Sequence, residues 1–215
     1  MKVVDLFCGL GGFSQAFKNR GHEVITVDIE KKFNPTICAD IMTLGADDFH
    51  IKNKAVTIVL ASPPCNCFSV ASIGKRWTDI GRPKGVETLQ AISLIYYTIW
   101  LIKSIAPRYW ILENPMGMLR KVIGKPKAKI SLCQYGDKRM KPTDLWGDLP
   151  NFPFRKCKNG NNCHESAPRG TRRGTQGLSS VEERAKMPLG LSEIICSSVE
   201  GAVNKENLLS YYMEI

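Results

Sequence analysis

The chain has no apolar run long enough to cross a bilayer. The longest, "AISLIYYTIWLI" at residues 91–102, falls well short of the roughly 20 residues a spanning helix needs, and polar residues flank it. It shows no secretory leader either: Lys2 is followed at once by a short apolar run and then by glycines. Nor does it have a disulfide framework. Its eight cysteines sit mostly inside apolar or glycine-rich segments, which points to a reducing cytoplasm and no membrane. Internal repeats and low-complexity tracts are absent. Acidic charge is scarce: 20 Asp and Glu face 30 Lys and Arg, for a formal net charge of +10. The shortage is local, because residues 120–186 hold 16 basic and 6 acidic side chains while the rest of the chain is balanced. A confined basic field is either a footprint for a polyanion such as nucleic acid or a solvated surface.

What is present reads as alternating strands and helices. "KVVDLF", "EVITVDI", "AVTIVLAS", "RYWILEN" and "KAKISLCQYG" are short runs rich in β-branched residues. Between them lie a helix at "FSQAFKNR" and a long one at 86–105, with Leu89, Ile92, Tyr96, Ile99 and Ile102 on its expected buried stripe and Pro107 closing it. The order predicts an α/β fold with a mainly parallel sheet. After Pro142 the pattern dissolves into Pro, Gly, Asn and Arg until "SEIICSSVEGAVNKENLLSYY", which reads as a terminal helix.

Three features favour an adenosine-containing cofactor. Phe7-Cys8-Gly9-Leu10-Gly11-Gly12 joins the first strand to the first helix, where glycines let the backbone approach a ligand. Asp28 ends the second strand, placed to bind ribose hydroxyls, and Asp40 precedes Ile41, a carboxylate and an apolar contact suited to adenine. Singly, each is equally well a tight turn or a loop carboxylate.

"SPPCNCFSVAS" follows the third strand. Two prolines stiffen the turn that presents Cys65, and the ends of parallel strands form the ligand crevice, so Cys65 suits a nucleophile while Cys67, two residues on, packs. The alternative for either sulfur is a buried structural thiol. Glu113-Asn114-Pro115 ends the next strand on the same rim. A desolvated carboxyl there holds a proton near neutral pH, and Asn114 bridges backbone groups.

"DLFCGLGGFSQAF", "SPPC" and "LENP", in this order and spacing, resemble the cofactor loop, nucleophile and Glu-Asn motif of the cytosine-5 DNA methyltransferases, the small phage and prophage enzymes above all. The resemblance covers residues 1 to about 145 and continues loosely through "GTQGLSSVEERAKMP". It implies a doubly wound, Rossmann-like fold and S-adenosylmethionine as cofactor, converted to S-adenosylhomocysteine. Phe7, Gly9, Gly11, Asp28, Ile29, Asp40, Ile41 and Pro63 would bind it. Cys65 would be the nucleophile and Glu113 its acid partner, with Arg139 of "QYGDKRMK" on the target base and Lys141 as the weaker match. Double-stranded DNA is the implied partner, with the base flipped out and the loop 66–85, carrying Lys75, Arg76 and Trp77, closing over it. The expected organisation is a catalytic domain at 1–142, a short recognition segment at 143–178 and a helical segment at 179–215 packing back, acting as a cytoplasmic monomer in restriction–modification. The same chemistry on transfer RNA and a silent nucleic-acid binder are the alternatives.

Two features depart from the family. Its closing Gly-Asn motif is not recognisable near "EGAVNKEN", so either the terminal helix substitutes or the cofactor pocket is more open. Cys157, Cys163 and His164 have zinc-ligand chemistry but show no fourth ligand nearby, and no metal is assigned. Arg169, Arg172 and Arg173 are read as backbone or groove contacts to DNA, or else as a solvated loop.

Overall fold

The computed structural model describes residues 1–49, 55–158, 160–165 and 185–213, with 206–213 as backbone only. Strand β1 (Lys2–Leu6) is buried on both faces, as a central parallel strand must be. It pairs in parallel with β2 (Glu23–Asp28) on one side and β4 (Ile58–Ala61) on the other. β3 (Ile37–Cys38) extends the sheet beyond β2, and β5 (Tyr109–Pro115) lies beside β4. The order is β3-β2-β1-β4-β5-β7-β6, with β7 (Pro142–Trp146) antiparallel between β5 and β6 (Ala128–Ser131). Strand order reverses between β1 and β4, which makes the carboxyl ends of these two strands the natural ligand crevice.

Helices cover both faces. On one, Phe13, just before α1 (Gln15–Asn19), and Phe17, within it, pack with Leu191, Ile195 and Val199 of α5 (Leu189–Met213). On the other, Leu101, Ile102 and Ile105 of α3 (Gly85–Ile105) pack on Val4, Leu6, Val59 and Ala61. Two short helices, α2 (Ile73–Arg76) and α4 (Leu119–Ile123), follow β4 and β5. The doubly wound α/β expectation holds, with a mixed rather than fully parallel sheet.

The buried face of α3 differs from the expected stripe. Thr88, Ile95, Thr98, Leu101, Ile102 and Ile105 are buried, whereas Leu89 and Tyr96 are exposed. The two threonines can go inside because their hydroxyls bond within the helix, to Lys84 O at 2.6 Å and Leu94 O at 2.7 Å. Against the sequence reading, this 21-residue helix is long and apolar enough to cross a membrane, although its Leu101, Ile102 and Ile105 pack on the sheet. β7 was also unforeseen. Its inner residues include Thr143 and Asp144, and burial of Asp144 is compensated by Arg120, which donates from Nε and Nη2 to its two oxygens at 2.5 Å each.

The C-terminal segment docks on the first helix. Ser192 Oγ donates to Phe13 O at 2.8 Å and accepts from Ala16 N at 3.0 Å, and Glu200 accepts from Arg20 and bonds His22. Gly12 makes this approach possible: a Cβ there would lie 2.5 Å from Met187 O. Gly12→Ala should therefore lower stability by about 1–3 kcal/mol, read as a shift in urea midpoint. Gly45→Ala, where a Cβ would meet no atom within 4 Å, should stay within about 0.5 kcal/mol of the unsubstituted chain.

Candidate active site

Leaving β1, the chain turns through left-handed conformations at Phe7, Gly9 and Gly11, with φ of 60°, 48° and 73°. Gly9 N donates to Asp28 Oδ2 at 2.8 Å and Glu30 N to Asp28 Oδ1 at 2.9 Å, so two backbone amides orient this carboxylate. Each oxygen keeps further acceptor capacity. Asp40 caps a 3-10 turn by accepting from Met42 N at 3.0 Å, which leaves Ile41 buried beneath it.

Phe7, Asp28, Ile29, Asp40 and Ile41 converge on a cavity of about 510 Å³. Its far wall is Pro64, Asn66 and Cys67 with Glu87, Gln90 and Ala91 of α3. The expected cofactor residues are thus brought together, with two refinements. Pro64 lines the cavity, whereas Pro63 is buried and its carbonyl accepts from Asn114 Nδ2 at 3.0 Å. Gly9 and Gly12 line a smaller cleft with Phe7, Ala185, Lys186 and Met187, and Gly11 a third beside Lys18. The segment ahead of α5 therefore flanks the glycine loop, where the family's closing motif was not recognisable. Glu87 and Gln90 were missed from the sequence, although their spacing of three puts both on one helix face.

Cys65 stands half-buried at the end of the β4 turn, its carbonyl accepting from Phe68 N and Ser69 N, both at 3.0 Å. The turn is fastened to the neighbouring strand by the Asn114 bond, the bridge expected of that residue, and by Met118 N donating to Phe68 O at 2.7 Å. Gly117 permits the second contact, since a Cβ there would lie 2.1 Å from Phe68 O. Cys67, on the cavity wall, is 2% exposed, packs in a buried cluster with Phe68 and Trp77, and its Sγ donates to Glu87 O at 3.8 Å. Cys8 is no rival nucleophile: burial, with Asp5 and Asp28 nearby, pushes its thiol up to about 12.

Glu113 is 4% exposed, on the strand beside Cys65. Burial holds its carboxyl above the usual range, against the pull of the Lys141 ammonium and the Ser62 hydroxyl. Its Oε1 has no hydrogen-bond partner among the described residues. Lys141, the weaker match in sequence, is thus the cation bearing on Glu113. Arg139 is buried and forked onto Asp137, with Nε to Oδ1 at 2.8 Å and Nη2 to Oδ2 at 2.6 Å. Trp77 also departs from expectation. It is 2% exposed and its Nε1 donates to Cys67 O at 2.6 Å, so it anchors the loop 66–85 rather than swinging over a base. Arg76 pairs with Glu87, and Lys75 is exposed.

At the β6 edge, Arg120, Lys121, Lys125, Lys127, Lys129 and Lys156 line a basic groove of about 630 Å³. Arg169, Arg172 and Arg173 lie outside the described residues, as does most of "GTQGLSSVEERAKMP". Cys157, Cys163 and His164 lie together, and Cys133 joins them.

Among known proteins, the chain is 30% identical over 145 residues to the type II methyltransferase M1.HphI of Haemophilus parahaemolyticus, covering 61% of this chain and 37% of that one. It is 32% identical over 131 residues to the type II methyltransferase M.DdeI of Desulfomicrobium norvegicum, covering 55% and 29%. The chain thus spans about a third of the length of these relatives. A solved structure of a DNA modification methyltransferase encoded within an E. coli prophage aligns with a TM-score of 0.49 at 19% identity, over 68% of this chain and 46% of that one. Residues 1–131, which hold the glycine loop, Asp28, Asp40, Cys65 and Glu113, match the family described as C-5 cytosine-specific DNA methylase, and to that family the chain belongs.

Proposed function

We propose that this protein is a DNA cytosine-5 methyltransferase using S-adenosylmethionine, working as a cytoplasmic monomer. The observation that carries the reading is the placement of Cys65 and Glu113. Cys65 sits in the turn after β4, between Pro64 and Asn66, which line the cavity that offers the Asp28 and Asp40 carboxylates and the apolar Phe7 and Ile41, and Glu113 lies on the neighbouring β5. That wall chemistry fits a ribose, an adenine amino group and an adenine ring, and the space around Gly9 is open to a ligand. When bound, S-adenosylmethionine supplies an electrophilic methyl group and leaves as S-adenosylhomocysteine.

Carbon 5 of cytosine is a poor nucleophile, and the protein's task is to change that. The Cys65 thiolate adds to carbon 6 of a flipped-out cytosine while Glu113, biased by burial toward its protonated form, donates to ring nitrogen 3. The orphaned Oε1 of Glu113 suits a group that must meet the base. The electron pair released onto carbon 5 forms the new carbon–methyl bond. Loss of the carbon 5 proton then re-forms the double bond and expels the Cys65 sulfur. Arg139, oriented by Asp137, and Lys141 supply positive charge at the base oxygen and beside Glu113. The basic groove suits DNA phosphates, and the type II names of the relatives suggest a modification role beside a restriction enzyme.

Cys65→Ser should abolish methyl transfer and leave S-adenosylmethionine affinity within a few fold, while Cys67→Ser keeps most activity. Duplex DNA with 5-fluorocytosine at the target should give an adduct that survives denaturation; an adduct on RNA alone would transfer the reading to RNA.

Glu113 also makes a prediction about pH. Its ordinary value is 4.5 and its folded value is higher, so the native state keeps a proton that the unfolded chain has lost. Stability should therefore fall as pH rises from 4.5 through the folded value. Glu113→Gln, neutral at every pH, should melt higher than the unsubstituted chain above that window and match it below, while losing methyl transfer by about 100-fold or more.

Lys125→Gln with Lys127→Gln should weaken DNA binding and flatten its dependence on log salt by about one unit for each phosphate no longer neutralised, with cofactor affinity unchanged. Parallel salt slopes would remove this groove from the DNA path.

A further inference from the structure

Cys157 and Cys163 are close in sequence and His164 adjoins them, but three ligands do not close a tetrahedron. The fold brings in a fourth. Cys133 lies in the 3-10 turn Leu132–Tyr135 that follows β6, and its sulfur is 3.8 Å from Cys163 Sγ. Cys157 Sγ is 3.3 Å from Cys163 Sγ and 3.7 Å from His164 Nδ1, and Cys163 Sγ is 3.5 Å from the same nitrogen. All four ligand atoms lie within 4.8 Å of one another. With metal bonds of about 2.3 Å to sulfur and about 2.0–2.1 Å to nitrogen, a tetrahedron has edges of about 3.8 Å between sulfurs and about 3.5 Å between sulfur and nitrogen. The Cys133–Cys163 and the two sulfur–nitrogen separations lie within about 0.2 Å of those edges, while Cys157–Cys163, at 3.3 Å, is about 0.5 Å short of its edge yet far beyond the roughly 2.05 Å of a disulfide.

We infer that Cys133, Cys157, Cys163 and His164 form a structural zinc site, which joins the end of β6 to the segment after β7. Three thiols ionise and release three protons as the ion enters. The His164 ring coordinates through Nδ1, so its Nε2 carries the proton. Two of the sulfurs have donors that suit a thiolate: Gln134 Nε2 donates to Cys163 Sγ at 3.2 Å and Asn161 Nδ2 to Cys157 Sγ at 3.5 Å. All four positions are filled by protein, which leaves no open one for catalysis and marks the site as structural.

The backbone shows what the ion would secure. Cys157 N donates to Ser131 Oγ at 3.0 Å, laying the cysteine segment along β6. Glu165 N donates to Lys138 O at 2.8 Å, tying the far side of the same knuckle to the loop that carries Arg139 and Lys141. The ion thus fixes that basic loop from outside the sheet.

The test is metal content. The full chain, expressed with added zinc and purified under reducing conditions, should carry one zinc per chain by elemental mass spectrometry. Exchange with cobalt should give the intense absorption of tetrahedral cobalt–thiolate coordination. Cys163→Ser should lose the metal, Cys133→Ser should lose it or bind it far more weakly, and Cys38→Ser, at an exposed cysteine outside the cluster, should keep it. Should Cys133→Ser fail to fold, Cys163→Ser and the cobalt spectrum of the unsubstituted chain decide. Zinc kept in both cluster variants would overturn the inference. So would a chain without metal in which all eight thiols react, or one with a Cys157–Cys163 disulfide. These readouts need no methyl transfer, so the site can stand or fall separately from the cytosine reading.

Discussion

Leu6 and Ala61 are paired partners across the β1–β4 ladder, and everything chemical in the molecule hangs from that pairing. Because the strands are parallel and in this register, the glycine loop and the Ser62-Pro63-Pro64-Cys65 turn leave the sheet at the same height. Ser62 N donates to Leu6 O at 3.2 Å, carrying the ladder one step into the turn. A slip of one residue would reverse the side chains of β4 and carry Cys65 away from the cavity. The burial of Val3, Val4, Leu6, Ile58, Val59, Leu60 and Ala61 opposes such a slip, so the core residues of two strands set the position of the Cys65 turn relative to the glycine loop.

The sheet also buries three carboxyls, Asp5, Glu113 and Asp144, on β1, β5 and β7, and compensates them unequally. Asp144 has the two-pronged Arg120 bond and serves structure. Asp5 accepts from Ser14 Oγ at 2.5 Å, but burial still raises it to about 6. Glu113 has the Ser62 hydroxyl and the Lys141 ammonium, and one oxygen of each of Asp5 and Glu113 has no partner among the described residues. Buried charge is tolerated in proportion to its partners, so Asp5 and Glu113, unlike Asp144, are both biased toward the protonated form. Of the two, Glu113 is the one on β5, the strand next to the β4 end from which the Cys65 turn departs, and that position favours it as the candidate for proton transfer.

What was legible in the sequence is what short-range chemistry encodes. Glycines at left-handed positions, prolines ahead of a thiol and acids at strand ends each carry their geometry with them, and the cavity residues Asp28, Asp40 and Ile41 were found that way, while Phe7 and Ile29 came with the family resemblance. What depends on tertiary partners was not legible. The buried face of α3 rests on two threonines whose hydroxyls bond back into the helix, and apolar periodicity points elsewhere. β7 looks like irregular chain until Arg120 neutralises Asp144. Trp77 reads as a loop aromatic until Cys67 O is seen to hold its indole. Cys133 reads as part of a strand, and only the turn after β6 aims it at cysteines from a later segment.

The loop between β6 and β7 shows how far such constraints reach into the chemistry. Lys141 has φ of 27°, a conformation that side-chain-bearing residues resist, and it precedes a proline, which restricts it further. It persists because the chain is held on both sides: Ser131 pairs with Pro142, Leu132 N donates to Lys141 O at 3.3 Å and Met116 N to Pro142 O at 3.0 Å. A relaxed backbone there would turn the side chain elsewhere. The strained one brings an ammonium to bear on Glu113, while Asp137 holds Arg139 two residues earlier. Strain at one residue, sustained by an antiparallel strand that the parallel core does not need for its own pairing, is thus what supplies positive charge to the buried acid.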